Sequence, residues 1–139
     1  MTGFELLDHT SEVGFEAHGG TLAEAFEQAG RAVFQIMTDV DELAAVEDVD
    51  ISVESENLEA LLYDFVDELI YIADTEHLLL ARFDLVVEET PDGYQLAGTG
   101  TGQQIDPAKR HQEVKAPTYS EISITEQEGD WVLRMFVDV

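Results

Sequence analysis

Basic residues are nearly missing from this chain. Six lysines and arginines stand against 31 aspartates and glutamates, a formal net charge of −25. The broad basic surface that grips a phosphate backbone is therefore lacking, and strong direct nucleic-acid binding is not expected. Cysteine is absent altogether, which excludes a disulfide framework, thiol nucleophiles and thiolate metal sites. There is no long apolar run of the kind that spans a membrane and no charged-then-apolar leader, so the expected setting is the cytoplasm, away from membranes. No linker, low-complexity tract or internal repeat interrupts the chain, and residues 1–139 read as one domain.

What is present accounts for much of that imbalance. The chain is 45% hydrophobic, and its apolar residues are periodic, so it folds despite its charge. Acidity of this density, with lysine almost absent, suits a cytoplasm at molar salt. At about 1 M salt the Debye length shrinks to about 3 Å, which screens repulsion between surface carboxylates. The charge is thus a statement about solvent more than about a partner.

The order of elements predicts an α+β domain: a mostly antiparallel or mixed sheet with two main helices packed on it. Phe4 to His9 and Val13 to His18 read as strands. Thr21-Leu22-Ala23-Glu24 fits a capping box, and Leu22, Phe26, Ala29, Val33, Ile36 and Met37 follow at helical spacing. An acidic connection over 39–48 leads to a strand on Val49, Ile51 and Val53, and Asn57 caps a second helix along Leu58, Leu61, Leu62, Phe65, Leu69 and Ile72. Strands over 83–89 and 94–102 pair across Pro91-Asp92-Gly93, and strands over 121–125 and 131–139 pair across Glu128-Gly129-Asp130. Gly98-Thr99-Gly100-Thr101-Gly102 falls inside a strand pattern, which marks a bulge or close backbone approach and not a nucleotide loop.

Strand alternation puts Arg134, Phe136 and Asp138 on one face, and Glu12, Gly14, Glu16 and His18 on a comparable one. Glu12, Asp138 and a terminal carboxylate at Val139 would repel one another unless a cation or a proton intervened. Oxygen ligands of this kind suit a hard divalent cation. Most carboxylates in so acidic a chain are simply solvated surface, so a second signal is needed. Glu113-Val114-Lys115-Ala116-Pro117-Thr118-Tyr119-Ser120 and the residues just before it supply one: Lys109, Arg110 and Lys115 are three of the six basic residues and fall within seven positions, with His111 among them. Pro117 cannot donate to a ladder, which places this segment on a sheet edge or an exposed loop.

Asp8-His9-Thr10-Ser11-Glu12-Val13-Gly14 near the start, the segment 113–120, and Val137-Asp138-Val139 at the end together resemble the archease family. Its members carry a D-H-T-A-D-x-G element early, an E-V-K-A-x-T-Y-H element late, and an aspartate before a final apolar residue. The resemblance spans essentially the whole chain. It implies an accessory protein of the RtcB-type RNA ligase in tRNA splicing, one that promotes guanylylation of the ligase by GTP and sustains turnover without catalysing a reaction itself. It also implies a metal site on Glu12, Asp138 and Val139, for calcium first and magnesium second. Lys115, Thr118, Tyr119, Asp8 and His9 then become the partner and activation residues.

Two positions depart from the family pattern, Glu12 for its aspartate and Ser120 for its histidine. A rival reading from the residues themselves is a metal-dependent phosphoester hydrolase using Asp8, His9, Glu12 and Asp138. No nucleophile arrangement, phosphate-cradling glycine loop or metalloprotease spacing accompanies that set. A general chaperone, the third reading, would need a sizeable exposed apolar patch.

Overall fold

The computed structural model describes residues 2–8 and 11–139, so Met1, His9 and Thr10 lie outside the described residues. The elements run β1 (Gly3–Asp8), β2 (Glu12–Gly19), α1 (Leu22–Met37), β3 (Glu47–Ser55), α2 (Leu58–Glu76), β4 (Leu78–Thr90), β5 (Gly93–Gln104), β6 (Ala116–Pro117), β7 (Ser123–Gln127) and β8 (Asp130–Asp138). Short 3-10 turns cover Val40–Glu42 and Pro107–Lys109. This is the expected α+β class, but the strands divide into two sheets. One has the order β1-β2-β8-β6 with β7 also on β8, and the other is β3-β5-β4. Every pairing is antiparallel.

Local chemistry sets the helix starts. The Thr21 hydroxyl accepts from the Glu24 N–H at 3.1 Å, and the Glu24 carboxylate reaches back to the Gly20 N–H, also at 3.1 Å. The capping box thus closes on Gly20 instead of the cap residue itself. Asn57 caps α2 by accepting from the Ala60 N–H at 2.8 Å. Helix α1 packs on β2 and on β4, so it joins the two sheets. Its Phe26 meets Phe65 of α2 edge-on at 5.8 Å, Phe65 meets Phe83 of β4 at 6.0 Å, and Phe83 stacks on Phe34 at 6.3 Å. Four phenylalanines therefore tie both helices to β4. One hydrophobic cluster runs through these elements and the inner face of β8, where Leu133, Met135 and Val137 are fully buried.

Strand β4 begins five residues before the Phe83 start that alternation suggests. The physical reason is that Leu78, Leu79, Leu80 and Ala81 are all buried, so this stretch has no wet face and shows no period of two. A bulge interrupts its pairing with β5 between Leu80 and Arg82. The Ala81 carbonyl there accepts from Arg31 Nε at 3.1 Å. Opposite, a Cβ on Gly102 would stand 1.8 Å from the Leu79 carbonyl oxygen, and the glycine run of β5 proves to be a place of close backbone approach.

One carboxylate is committed to this packing. Glu27 on α1 accepts from the Leu85 N–H at 2.9 Å. Burial pushes its carboxyl above the usual range, the Leu85 bond opposes this, and the charges of Asp84 and Glu24 push it further up. A raised pKa means the folded state holds the proton more tightly. This contribution to stability is therefore complete below the ordinary value of 4.5 and lost as pH rises through the folded value. Glu27→Gln, which keeps an acceptor for Leu85, is expected to stabilise the fold at pH 7 to 8 by roughly 0.5 kcal/mol after allowance for solvent screening. Thermal melts across pH check this. The advantage disappears near pH 4, and an advantage that does not vary with pH means the charge is not responsible.

Candidate functional site at the strand ends

The site grows from strand register. On the outer face of the larger sheet, β2 and β8 place Glu12 opposite Asp138, Gly14 opposite Phe136 and Glu16 opposite Arg134. Phe136 lies over Gly14, where a Cβ would come within 2.6 Å of the ring. Arg134 bonds Glu16 at 3.0 Å and Glu121 at 3.4 Å, with its guanidinium 5.5 Å from the Phe136 ring centroid. In that row one cation serves two acids. At the strand ends Glu12 and Asp138 are like charges directly across a ladder, an arrangement that costs stability. Among the described residues no lysine, arginine or histidine lies within salt-bridge distance of either.

Strand β6 completes the site from the other side. Ala116 pairs with Asp138, and the Lys115 N–H donates to the Asp138 carbonyl at 2.8 Å. The Thr118 N–H donates to the Phe136 carbonyl at 3.1 Å, and its hydroxyl donates to the same oxygen at 3.0 Å. β6 is thus the short edge strand that Pro117 foretold, clamped at both ends. Lys115 is exposed, and among the described residues no carboxylate pairs with it. Val139 is half-buried and packs against the core. The register therefore brings Glu12, Asp138 and the Lys115 backbone to one place, although the three come from opposite ends of the sequence.

Other expected members stand elsewhere. Asp8 pairs with Val13, so it belongs to the opposite alternation set from Glu12 and lies outside the carboxylate row. His9 lies outside the described residues. The set of Asp8, His9, Glu12 and Asp138 on which a hydrolase would rest is not assembled among the described residues. Of the cation cluster, Arg110 serves the fold: its guanidinium bonds the Ala73 carbonyl and Asp74 at the end of α2, with the side chain only 8% exposed. His111 donates its N–H to the Met37 carbonyl at 2.7 Å, at the end of α1. Ser120 is exposed and donates its N–H to the Thr118 hydroxyl at 3.2 Å.

Two adjacent carboxylates without a neutralising side chain can attract a divalent cation. The described residues contain no group of three or more histidines, aspartates and glutamates spaced to hold one. Glu12 and Asp138 offer oxygen ligands only, the kind that hard divalent cations such as calcium and magnesium take.

Sequence reasoning missed Tyr63. Its ring stacks on Tyr119 at a centroid distance of 4.2 Å with an interplanar angle of 5°. Tyr63 sits on α2 among ordinary helix residues, and nothing in its local pattern announces a partner on a distant loop.

The fold and the strand-end row define a small α+β protein with a carboxylate pair, unpaired with any cation among the described residues, beside an edge strand. The profile of the Archease protein family matches residues 4–139. The chain is 39% identical over its full length to the full-length Protein archease of Methanothermobacter thermautotrophicus, and 36% identical to that of Pyrococcus furiosus, again over the whole of both chains. A solution structure of a Methanobacterium thermoautotrophicum protein superposes with a TM-score of 0.85 at 37% identity, covering all of both chains. A crystal structure of an archease, possible chaperone, from Thermotoga maritima shares the fold with a TM-score of 0.64 at 16% identity, over 96% of this chain and 94% of that one. The chain belongs to the Archease protein family.

Proposed function

We propose that this protein is a non-catalytic activator of an RtcB-type RNA ligase in tRNA splicing, promoting ligase guanylylation by GTP and multiple turnover. The observation that carries the reading is the convergence of all three motif segments at one strand end, with Glu12 opposite Asp138 and the Lys115 N–H on the Asp138 carbonyl. Glu12, Asp138 and Val139 are the residues that would hold a divalent cation, which would supply positive charge where the ladder places two negatives. Lys115 joins them through its backbone N–H, and its exposed ammonium, which no carboxylate pairs with among the described residues, is available to a partner. Charged groups arranged at a sheet edge suit contact with another protein's active centre.

A broad chaperone surface is less well supported. The large exposed apolar side chains, Leu6, Val46, Tyr71, Val86 and Tyr119, stand on five different segments.

The test is guanylylation of the cognate ligase with GTP and a divalent metal in high potassium chloride, with substoichiometric amounts of this protein. Acceleration is expected, and Asp138→Ala or Lys115→Ala is expected to reduce it about 10-fold or more, the scale of one lost charge-assisted contact. Folded protein that gives no acceleration refutes the activator role. Phosphoester turnover by the protein alone would revive the hydrolase.

A further inference from the structure

The stacked pair Tyr63–Tyr119 lies outside the carboxylate row, although Tyr119 is one of the residues the family resemblance marks for a partner. Its rings are nearly parallel at 4.2 Å, and Tyr119 is 56% exposed. With one face against Tyr63, the exposure of Tyr119 falls on its other face and edges. The backbone beneath is fixed: Thr118 is clamped to the Phe136 carbonyl through its N–H and its hydroxyl, and Tyr63 lies within α2. An exposed aromatic ring held this rigidly is a binding platform with little left to order on association.

The charges around it select the occupant. Asp64 neighbours Tyr63 on α2 and accepts from the Ser55 hydroxyl at 2.6 Å, which draws the segment bearing Glu56 to the same corner. The Tyr119 hydroxyl is pushed above its ordinary pKa by partial desolvation first, then by Asp64, Tyr63 and Glu56. The nearest cation along this segment, Lys115, lies at the far end of β6. A nucleic acid would bring phosphates toward these carboxylates. A guanidinium would place its flat face on the ring and its N–H groups toward the acids, combining ring stacking with charge-assisted bonds.

We propose that Tyr119, backed by Tyr63 and flanked by Asp64 and Glu56, is a docking point for an arginine side chain of a protein partner. This deepens the partner role proposed above and adds a second contact two residues past the end of β6. Lysine fits less well, since its ammonium has no planar face to stack.

The test uses the full-length protein and a probe that does not depend on the identity of the partner. A capped five-residue peptide carrying two arginines among glycines, and its lysine counterpart, are titrated in 1 M potassium chloride while the ring resonances of Tyr119 are followed by NMR. High salt screens the general attraction of any cation to so acidic a protein. The arginine peptide is expected to bind roughly 3-fold more tightly than the lysine peptide, the scale of a cation–ring contact at an exposed site. Tyr119→Leu, which leaves the charge unchanged, is expected to erase the difference, Tyr119→Phe to keep most of it, and Asp64→Asn to weaken the arginine peptide alone. Equal binding of the two peptides, or an unaltered preference in folded Tyr119→Leu, overturns the proposal. So does a single-stranded oligoadenylate that shifts the Tyr119 ring more than the arginine peptide does. Because no ligase is present, failure here leaves the activator test untouched, and failure of that test leaves this one standing.

Discussion

In dilute buffer this protein is expected to melt far below its melting temperature in molar potassium chloride. The cause is concrete. Glu68 of α2 is partly buried, which pushes its carboxyl above the usual range, and the charges of Asp67 and Glu76 push it further. Glu27 meets the same fate beside Asp84 and Glu24. These are local readings of a net charge of −25 carried on 139 residues. Among the described residues Arg31, Arg110 and Arg134 form ion pairs with Asp41, Asp74, Glu16 and Glu121, four of the 31 acidic residues.

Raising salt from about 0.1 M to about 2 M cuts the Debye length from about 10 Å to less than 3 Å and removes most of this repulsion. For a domain of this size a gain of about 4 kcal/mol corresponds to roughly 15 °C. Scanning calorimetry across potassium chloride concentrations reads it directly. Salt also strengthens apolar burial, so a second protein separates the causes. Replacing the exposed Asp50, Asp67, Glu76, Asp84 and Glu88 with their amides removes five charges. If repulsion is responsible, the variant melts higher in low salt and its salt slope is flatter. An unchanged slope assigns the effect to apolar burial instead.

The second large effect is expected at Gly102, where alanine should cost on the order of 3 kcal/mol or more, or roughly 10 °C in melting temperature. The added carbon would lie 1.8 Å from the Leu79 carbonyl oxygen and 2.7 Å from Leu80 Cα. Both neighbours are backbone, and backbone cannot turn aside as a side chain does. The clash falls where β4 already carries its bulge, beside the Ala81 carbonyl held by Arg31. The Gly102 carbonyl also accepts from the Val46 N–H at 3.0 Å, so displacement would loosen the approach to β3 as well. Gly20→Ala is the control: its nearest neighbour is the movable end of Glu24 at 3.5 Å, and the change should stay within about 0.5 kcal/mol. Equal melting temperatures for the two variants would show that β4 and β5 can separate without cost, contrary to the packing described.

The sequence by itself determined the local elements. Capping by Thr21 and Asn57, the helical spacing on α1 and α2, and the turns at Pro91-Asp92 and Glu128-Gly129 are all short-range chemistry, complete within a few residues. The same is true of the alternation that put Glu12 and Asp138 on comparable faces, and of Pro117 marking an edge. Motif order carried the family resemblance.

Only the tertiary structure decided how distant strands pair. A one-residue slip reverses every side chain, so no local pattern could say that Glu12 meets Asp138 while Asp8 falls in the other set. Nor could it show that the strands form two sheets joined by α1. The early start of β4 was hidden because a strand buried on both faces has no alternation to read. Arg110 looked like part of a functional cation cluster until α2 offered the Ala73 carbonyl and the Asp74 carboxylate. Tyr63 acquired its meaning when the fold laid Tyr119 upon it. Pairing register and side-chain partnership arise between segments far apart in the chain, where burial and ladder hydrogen bonds decide between arrangements that are locally equivalent.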